Sequence, residues 1–231
     1  NMKEKNNPIL SSDNNSVKKL NNIYKFLVSR NEGNSIEEAK LDIVPSKTYI
    51  LRNRFNQFEV FYKTIDVVNR LTKSKKPDLH EVIMEYLPQK LKFDIDGIYE
   101  EDGDDVLEDI MKGIRISMVD LYDLKLCSDD FAITRRCRND AVSFKIIITN
   151  YYVKNMIHCK YFTEYLISVL DNEISKYIDK GVNTKNTSIQ LPNCYKNNCK
   201  AEIISDHKIE DFLITNISSC NKFKLNKMIL L

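Results

Sequence analysis

The chain has 231 residues, 42% hydrophobic and 29% charged, with only 5 glycines and 5 prolines, which excludes a disordered or collagen-like protein and allows a sizeable core. A formal net charge of +2 gives no whole-molecule field that selects a partner, so only local clusters can do so. No aliphatic run exceeds three residues, as in Ile146 to Ile148, far short of the roughly 20 residues of a membrane span, and the opening "NMKEKNN" has no signal-peptide pattern.

Residues 1–15 are polar and Asn-rich and read as a loose segment. Ser16 then caps a helix in which Val17, Leu20, Ile23, Tyr24, Leu27 and Val28 recur at helical spacing, and Ser35 with Glu38 forms a capping box for a second. Residues 56–72 read as a longer, mostly helical element, which closes a helical part over 16–76. Two apolar runs, 82–87 and 91–96, are separated by Pro88 and read as strands. A helix is expected over 104–124, with Val106, Ile110, Ile114, Met118 and Leu121 on one face. A hairpin over 130–149 places Arg135, Arg136 and Arg138 in its turn, and a helix follows over 161–178. Short strands at 188–191 and 212–217 complete the series. With no linker and no repeat, residues 16–231 are expected to form one α+β domain.

The segment "QKLKFDIDGIYEEDGDD", residues 89–105, contains two acidic patterns of different character. Asp94 and Asp96 interrupt an apolar strand that also holds Leu91, Phe93 and Ile95; residues two apart on a strand share a face, so the two carboxylates project together. Like charges about 6–7 Å apart repel and raise each other's pKa unless a cation neutralises them, and hard divalent cations do so through carboxylate oxygens. Asp102 and Asp104 repeat the spacing in a loop, where a solvated face explains them. In "AVSFKIIIT", Ser143 and Lys145 share the polar face of a strand whose Val142, Phe144, Ile146 and Ile148 are apolar; this suits phosphate contact, although a solvated lysine explains it equally. Asp179 precedes a Gly-containing turn and the strand in "NTSIQLP".

The order Asp94-Ile-Asp96, then Ser143-Phe-Lys145, then Asp179 ahead of "NTSIQLP" resembles the archaeo-eukaryotic primase superfamily. It looks most like the N-terminal primase domain of poxvirus-type primase-helicases of large DNA viruses, over about residues 80–217. The resemblance implies an RRM-like mixed or antiparallel sheet carrying the acids, with helices packed on its other face. It implies a DNA primase that builds short primers on single-stranded template from nucleoside triphosphates, coupled to a helicase at the site of viral DNA replication in host cytoplasm or nucleus. Asp94, Asp96 and Asp179 would be the catalytic acids that hold two Mg²⁺ or Mn²⁺ ions. Ser143, Lys145, Lys185 and Gln190 would bind the nucleotide, and Arg135, Arg136 and Arg138 the nucleic acid. Lys145 stands where the family usually has His, and Gln190 where it usually has Arg. A degenerate domain that only binds nucleic acid is therefore the alternative, and a structural protein with accidental motifs is a third.

Six cysteines without a CxxC pair point to reduced thiols in an intracellular protein, with Cys194, Cys199, His158 and Cys159 as a weaker zinc set. Lys73, Lys75 and Lys76, and Lys222, Lys224 and Lys227, are further basic clusters in an otherwise neutral chain.

Overall fold

The computed structural model describes residues 47–55, 58–184, 187–218 and 220–222; the helices expected before residue 47, Lys185, Lys224 and Lys227 lie outside them. The chain folds as an α+β protein built on two sheets, the smaller antiparallel and the larger antiparallel except for one short edge strand. The larger has a long central strand, β6 (Ala141–Val153), paired with β4 (Gln89–Tyr99) and with β5 (Phe131–Arg138). Two short strands extend it: β10 (Glu202–Ile203) beside β5, and β11 (Asn221–Lys222), parallel to the end of β6. The smaller sheet runs β2 (Phe58–Phe61), β1 (Tyr49–Asn53), β3 (Leu79–Val82), β7 (Ser188–Gln190). A two-residue hairpin of β8 (Tyr195–Lys196) and β9 (Cys199–Lys200) stands apart from both.

Alternation decides the faces of the large sheet. Leu91, Phe93 and Ile95 of β4, with Val142, Phe144, Ile146 and Ile148 of β6, turn one way into the main core. Two helices cover that face: α2 (Gly103–Tyr122) and α3 (Met156–Val169). Val106, Ile110, Ile114 and Met118 of α2 recur every four residues and meet Cys159, Phe162 and Leu166 of α3 over the strands. Each buried apolar side chain of this size contributes about 1.5–3 kcal/mol relative to exposure, so this face fixes the register of β4 and β6.

A bulge interrupts that register. Ile95 pairs with Phe144 but Ile98 with Val142, so Asp96 and Gly97 together face one residue. The extra residue returns Ile98 to the core, although it follows Ile95 by three positions. Gly97 has φ +82°, which a side chain would resist.

Several expected elements are corrected. The expected strand at 188–191 forms as β7, with Ser188 and Gln190, in the smaller sheet and not in the sheet that carries Asp94, Asp96, Ser143 and Lys145. Residues 58–61 are a strand rather than helix, and α1 (Thr64–Thr72) begins only after it; Glu59 accepts two 2.7 Å bonds from Arg70, which hold helix to strand. The strand expected at 82–87 lies at 79–82, because Leu87 N bonds Met84 O in a turn. The helix expected over 161–178 starts at Met156, where Asn155 accepts from His158 N, and stops before the extended Leu170; α4 (Asn172–Ser175) is separate, capped by Asp171. No strand forms at 212–217. Ile214 N and Thr215 N bond the buried carboxylate of Glu81 at 2.6 and 3.0 Å, replacing a ladder partner with a side chain. The three arginines belong to strand β5 and not to a turn, since the hairpin closes at Asn139 and Asp140.

Candidate active site

The face of the large sheet turned away from α2 and α3 carries the polar residues. Asp94 is opposite Lys145 across β4 and β6, Lys145 is opposite Thr134 across β6 and β5, and Arg136 is opposite Ser143. Asp179 joins them through the backbone. Its N–H donates to Asp94 O at 2.8 Å, Asp96 N–H donates to Tyr177 O at 3.0 Å, and Ile178 bridges Ile95. These bonds seat 177–179 as a one-step strand along β4, and the end of helix α3 at Val169 permits it. Ligand oxygens of Asp94, Asp96 and Asp179 consequently lie within 4.8 Å of one another, and they are the one such group of His, Cys, Asp and Glu among the described residues.

Local bonds set the third acid. The Asp179 carboxylate accepts from Gly181 N at 2.7 Å and caps a 3-10 turn, Lys180–Asn183. A Cβ at Gly181 would stand 2.9 Å from Asp179 Oδ1, so only glycine leaves that carboxylate in place. The turn is anchored from below. Buried Lys92, on the same strand face as Asp94, donates to Asn183 Oδ1 at 3.1 Å and Gln89 Oε1 at 2.7 Å, and Asn183 donates to Thr163 Oγ1 at 2.9 Å.

Electrostatics fit a cation. Asp94 is half-buried, Asp96 and Asp179 exposed. Burial pushes the Asp94 pKa up, opposed by Lys145 and Arg136 and reinforced by Asp96 and Asp179. Burial lowers the Lys145 pKa, while Asp94 supports its charge. Three clustered carboxylates offer the oxygen donors that Mg²⁺ and Mn²⁺ accept, and a divalent ion would remove their mutual repulsion.

The smaller sheet meets this face at β7. Lys145 Nζ donates to Gln190 O at 3.3 Å, and Arg136 Nη1 donates to Gln190 Oε1 at 2.7 Å. The site thus gathers Asp94, Asp96, Asp179, Ser143, Lys145, Gln190 and Arg136. It excludes Arg135. That side chain lies on the helix face, 3.4 Å from Asp104, 3.7 Å from Glu100 and over the Phe144 ring. Arg138 is exposed near the hairpin end, in phase with Arg136. The proposed zinc set is not assembled: Cys159 packs in the main core, whereas Cys194 packs beneath the smaller sheet.

Sequence reading passed over two residues, Arg52 and His80. Arg52 is opposite His80 on β1 and β3, and His80 is opposite Gln190 on β3 and β7. His80 is pushed down to about 3 by burial and by Arg52, Lys145, Lys196 and Arg136. The available signal was the alternation of Leu79 and Glu81 with His80 and Val82, which marks His80 as belonging to one strand face, but nothing in the sequence shows which strand lies beside it.

No family model matches the chain. It is similar to three proteins of African swine fever virus that carry the provisional name helicase/primase complex protein. A Kenyan isolate's protein is 24% identical over 217 residues, 85% of this chain. That of the Badajoz strain is 24% identical over 205 residues, 75% of the chain, and that of a Malawi isolate 23% over 221, 85% of the chain. The chain spans 21%, 19% and 20% of those relatives' own lengths. These similarities agree with the resemblance to viral primases.

Proposed function

We propose that this chain is a viral DNA primase domain, a metal-dependent nucleotidyltransferase that joins nucleotides into short primers on single-stranded DNA. The observation that carries this reading is the convergence of Asp94, Asp96 and Asp179 within 4.8 Å, beside a lysine on the neighbouring strand. Two bound divalent cations would activate a 3′-hydroxyl and neutralise the leaving pyrophosphate. Asp94, Asp96 and Asp179 would hold those cations. Lys145, tethered to Gln190 O and opposite Asp94, binds a phosphate as a point charge where histidine is usual. Ser143 offers a hydroxyl on the same face, and Arg136 supplies a guanidinium next to Gln190, where the resemblance leads one to expect arginine. Arg138, exposed on the same strand phase, is suited to template phosphate.

The names of the relatives support a role in viral DNA replication, with a helicase as working partner. No helix among the described residues is long and apolar enough to cross a membrane. Calorimetric titration of Mn²⁺ and nucleotide, with primer synthesis on a single-stranded template, tests the reading. The wild type should bind and synthesise, and Asp94→Asn should do neither; metal binding by Asp94→Asn equal to wild type would refute it. The departures at Lys145 and Gln190 favour one second reading, a domain that binds nucleotide and DNA without catalysis. Intact metal binding with no synthesis would select that one.

A further inference from the structure

The third acid is held differently from the first two. Asp94 and Asp96 belong to β4, whose register the main core fixes. Asp179 stands at the head of the turn Lys180–Asn183, and two attachments tie that turn to β4. At the head, Asp179 N–H donates to Asp94 O at 2.8 Å. At the tail, a side chain does the work of a backbone partner. Asn183 Oδ1 accepts from Lys92 Nζ at 3.1 Å, and Asn183 Nδ2 donates to Thr163 Oγ1 at 2.9 Å. The Thr163 hydroxyl donates in turn to Cys159 O of α3 at 3.0 Å. Asn183 is 4% exposed, Thr163 3% and Lys92 1%, so water does not compete for these bonds.

Lys92 is the unusual member of this relay. Its remaining partners, Gln89 Oε1 at 2.7 Å and Met156 Sδ at 3.5 Å, are as uncharged as Asn183. Taking an amine so far out of water without bonding it to an acid is costly, and an apolar side chain of similar length would fill the space at less cost. A lysine in that place points to a geometric role.

We propose that Lys92, Asn183 and Thr163 are positioning residues that fix the Asp179 carboxylate before a metal ion arrives, and that this rigidity selects a small octahedral cation over Ca²⁺. The proposal rests on the metal-ion reading of the three acids for its ligand, and on the relay for its mechanism. With the turn held at both ends, Asp179 Oδ1 accepts from Gly181 N at 2.7 Å and the ligand oxygens of the three acids stay within 4.8 Å of one another. With the tail released, the turn would pivot about its bond to Asp94 O, and the third carboxylate would lose its set distance from the other two. Mg²⁺ demands near-ideal octahedral geometry, and Mn²⁺ takes the same octahedral oxygen set. Ca²⁺ accepts more ligands in looser arrangements. Loosening Asp179 therefore penalises the small ion more than the large one.

The test titrates Mn²⁺ and Ca²⁺ calorimetrically into the full chain and three variants, with circular dichroism to show that each is folded. Lys92→Met removes the donor and keeps the length, Thr163→Val removes the hydroxyl and keeps the shape, and Thr163→Ser puts the hydroxyl back. Wild type should prefer Mn²⁺. Lys92→Met and Thr163→Val should lose about 10–100-fold in Mn²⁺ affinity and less in Ca²⁺ affinity, while Thr163→Ser behaves as wild type. In metal-free protein, amide exchange should quicken in the same two variants at Gly181 and Thr184, which bond Asp179 Oδ1 and Gly181 O, and stay unchanged along β6. Should Lys92→Met fail to fold, Thr163→Val against Thr163→Ser decides. Equal losses for both ions with faster exchange along β6 would reduce the relay to ordinary core packing and overturn the proposal. Wild-type binding of Mn²⁺ with an unchanged ion preference in the variants would overturn the selection alone. No Mn²⁺ binding by wild type would overturn the metal reading and the selection together.

Discussion

Asp94 and Asp96, and Asp102 and Asp104, share the same spacing and lie within one stretch of eleven residues, yet the fold gives them different surroundings. The first pair projects from a strand whose other face is core, and the backbone at 177–179 brings a third carboxylate alongside. The second pair stands at the start of α2, where the helix dipole favours negative charge, and Asp104 meets Arg135 at 3.4 Å. Spacing alone therefore carries no chemistry. What separates the two pairs is a neighbour supplied from more than eighty positions further along the chain, and a lysine on the adjacent strand.

The largest expected effect tests that difference directly. Asp94→Asn should cost Mn²⁺ affinity more than the roughly 10–100-fold lost when a mere hydrogen-bond partner of a metal ligand is removed. In metal-free protein the same change should leave thermal stability equal or higher, because burial and two neighbouring acids already disfavour the Asp94 charge. A clear loss of stability would show that the cluster is held together by Lys145 and Arg136 and has no use for a cation. Next in size, Lys145→Ala should weaken triphosphate binding about 10–100-fold, the value of one charge-assisted contact, while Lys145→His should retain most of it. Equal weakening in both would assign Lys145 a structural role only.

Much of this site was legible, and the reasons are local. Strand alternation placed Asp94, Asp96, Ser143 and Lys145 on the polar face correctly, because a period of two needs only the strand itself. Membership of a sheet is not local. Gln190 belongs to the other sheet, and Arg52 and His80 gain meaning only through pairing across residues 52, 80 and 190. Arg135 was misassigned because the hairpin turn was placed too early; once β5 runs to Arg138, alternation puts Arg135 with Phe131 and Ile133 on the helix face. The break after α3 has no glycine or proline to mark it, so a continuous helix was the natural reading.

Two intermediate effects sharpen the contrast between ordered site and solvated loop. His80 has its pKa lowered to about 3, so the unfolded chain takes up a proton well before the folded one does. Its stabilising contribution is complete above the unfolded value of about 6.5 and is lost as pH falls from there towards about 3, at up to roughly 1.4 kcal/mol per pH unit. Chemical denaturation over that range should show the slope in wild type and its reduction in His80→Gln; the same slope in both would place the imidazole in water. Gly97→Ala should destabilise by about 1–2 kcal/mol, since φ +82° is unfavourable for alanine, and no atom lies within 4 Å to add a clash. An unchanged melting temperature would mean that the bulge relaxes, and Asp96 with it.

The smallest effect belongs to the second acidic pair. Asp104→Asn removes a largely exposed partner of Arg135 and one charge from the first turn of α2. Exposed ion pairs are worth about 0.2–1 kcal/mol, and a charge at a helix start a similar amount at low salt. We expect a loss within about 1 kcal/mol that shrinks as salt screens it, with Mn²⁺ affinity and primer synthesis unchanged. Arg135 would keep Glu100 at 3.7 Å and the Phe144 ring, so the strand face it covers stays closed. A drop in metal affinity in Asp104→Asn comparable to that in Asp94→Asn would erase the distinction between the two pairs and reopen the question of where the cation sits.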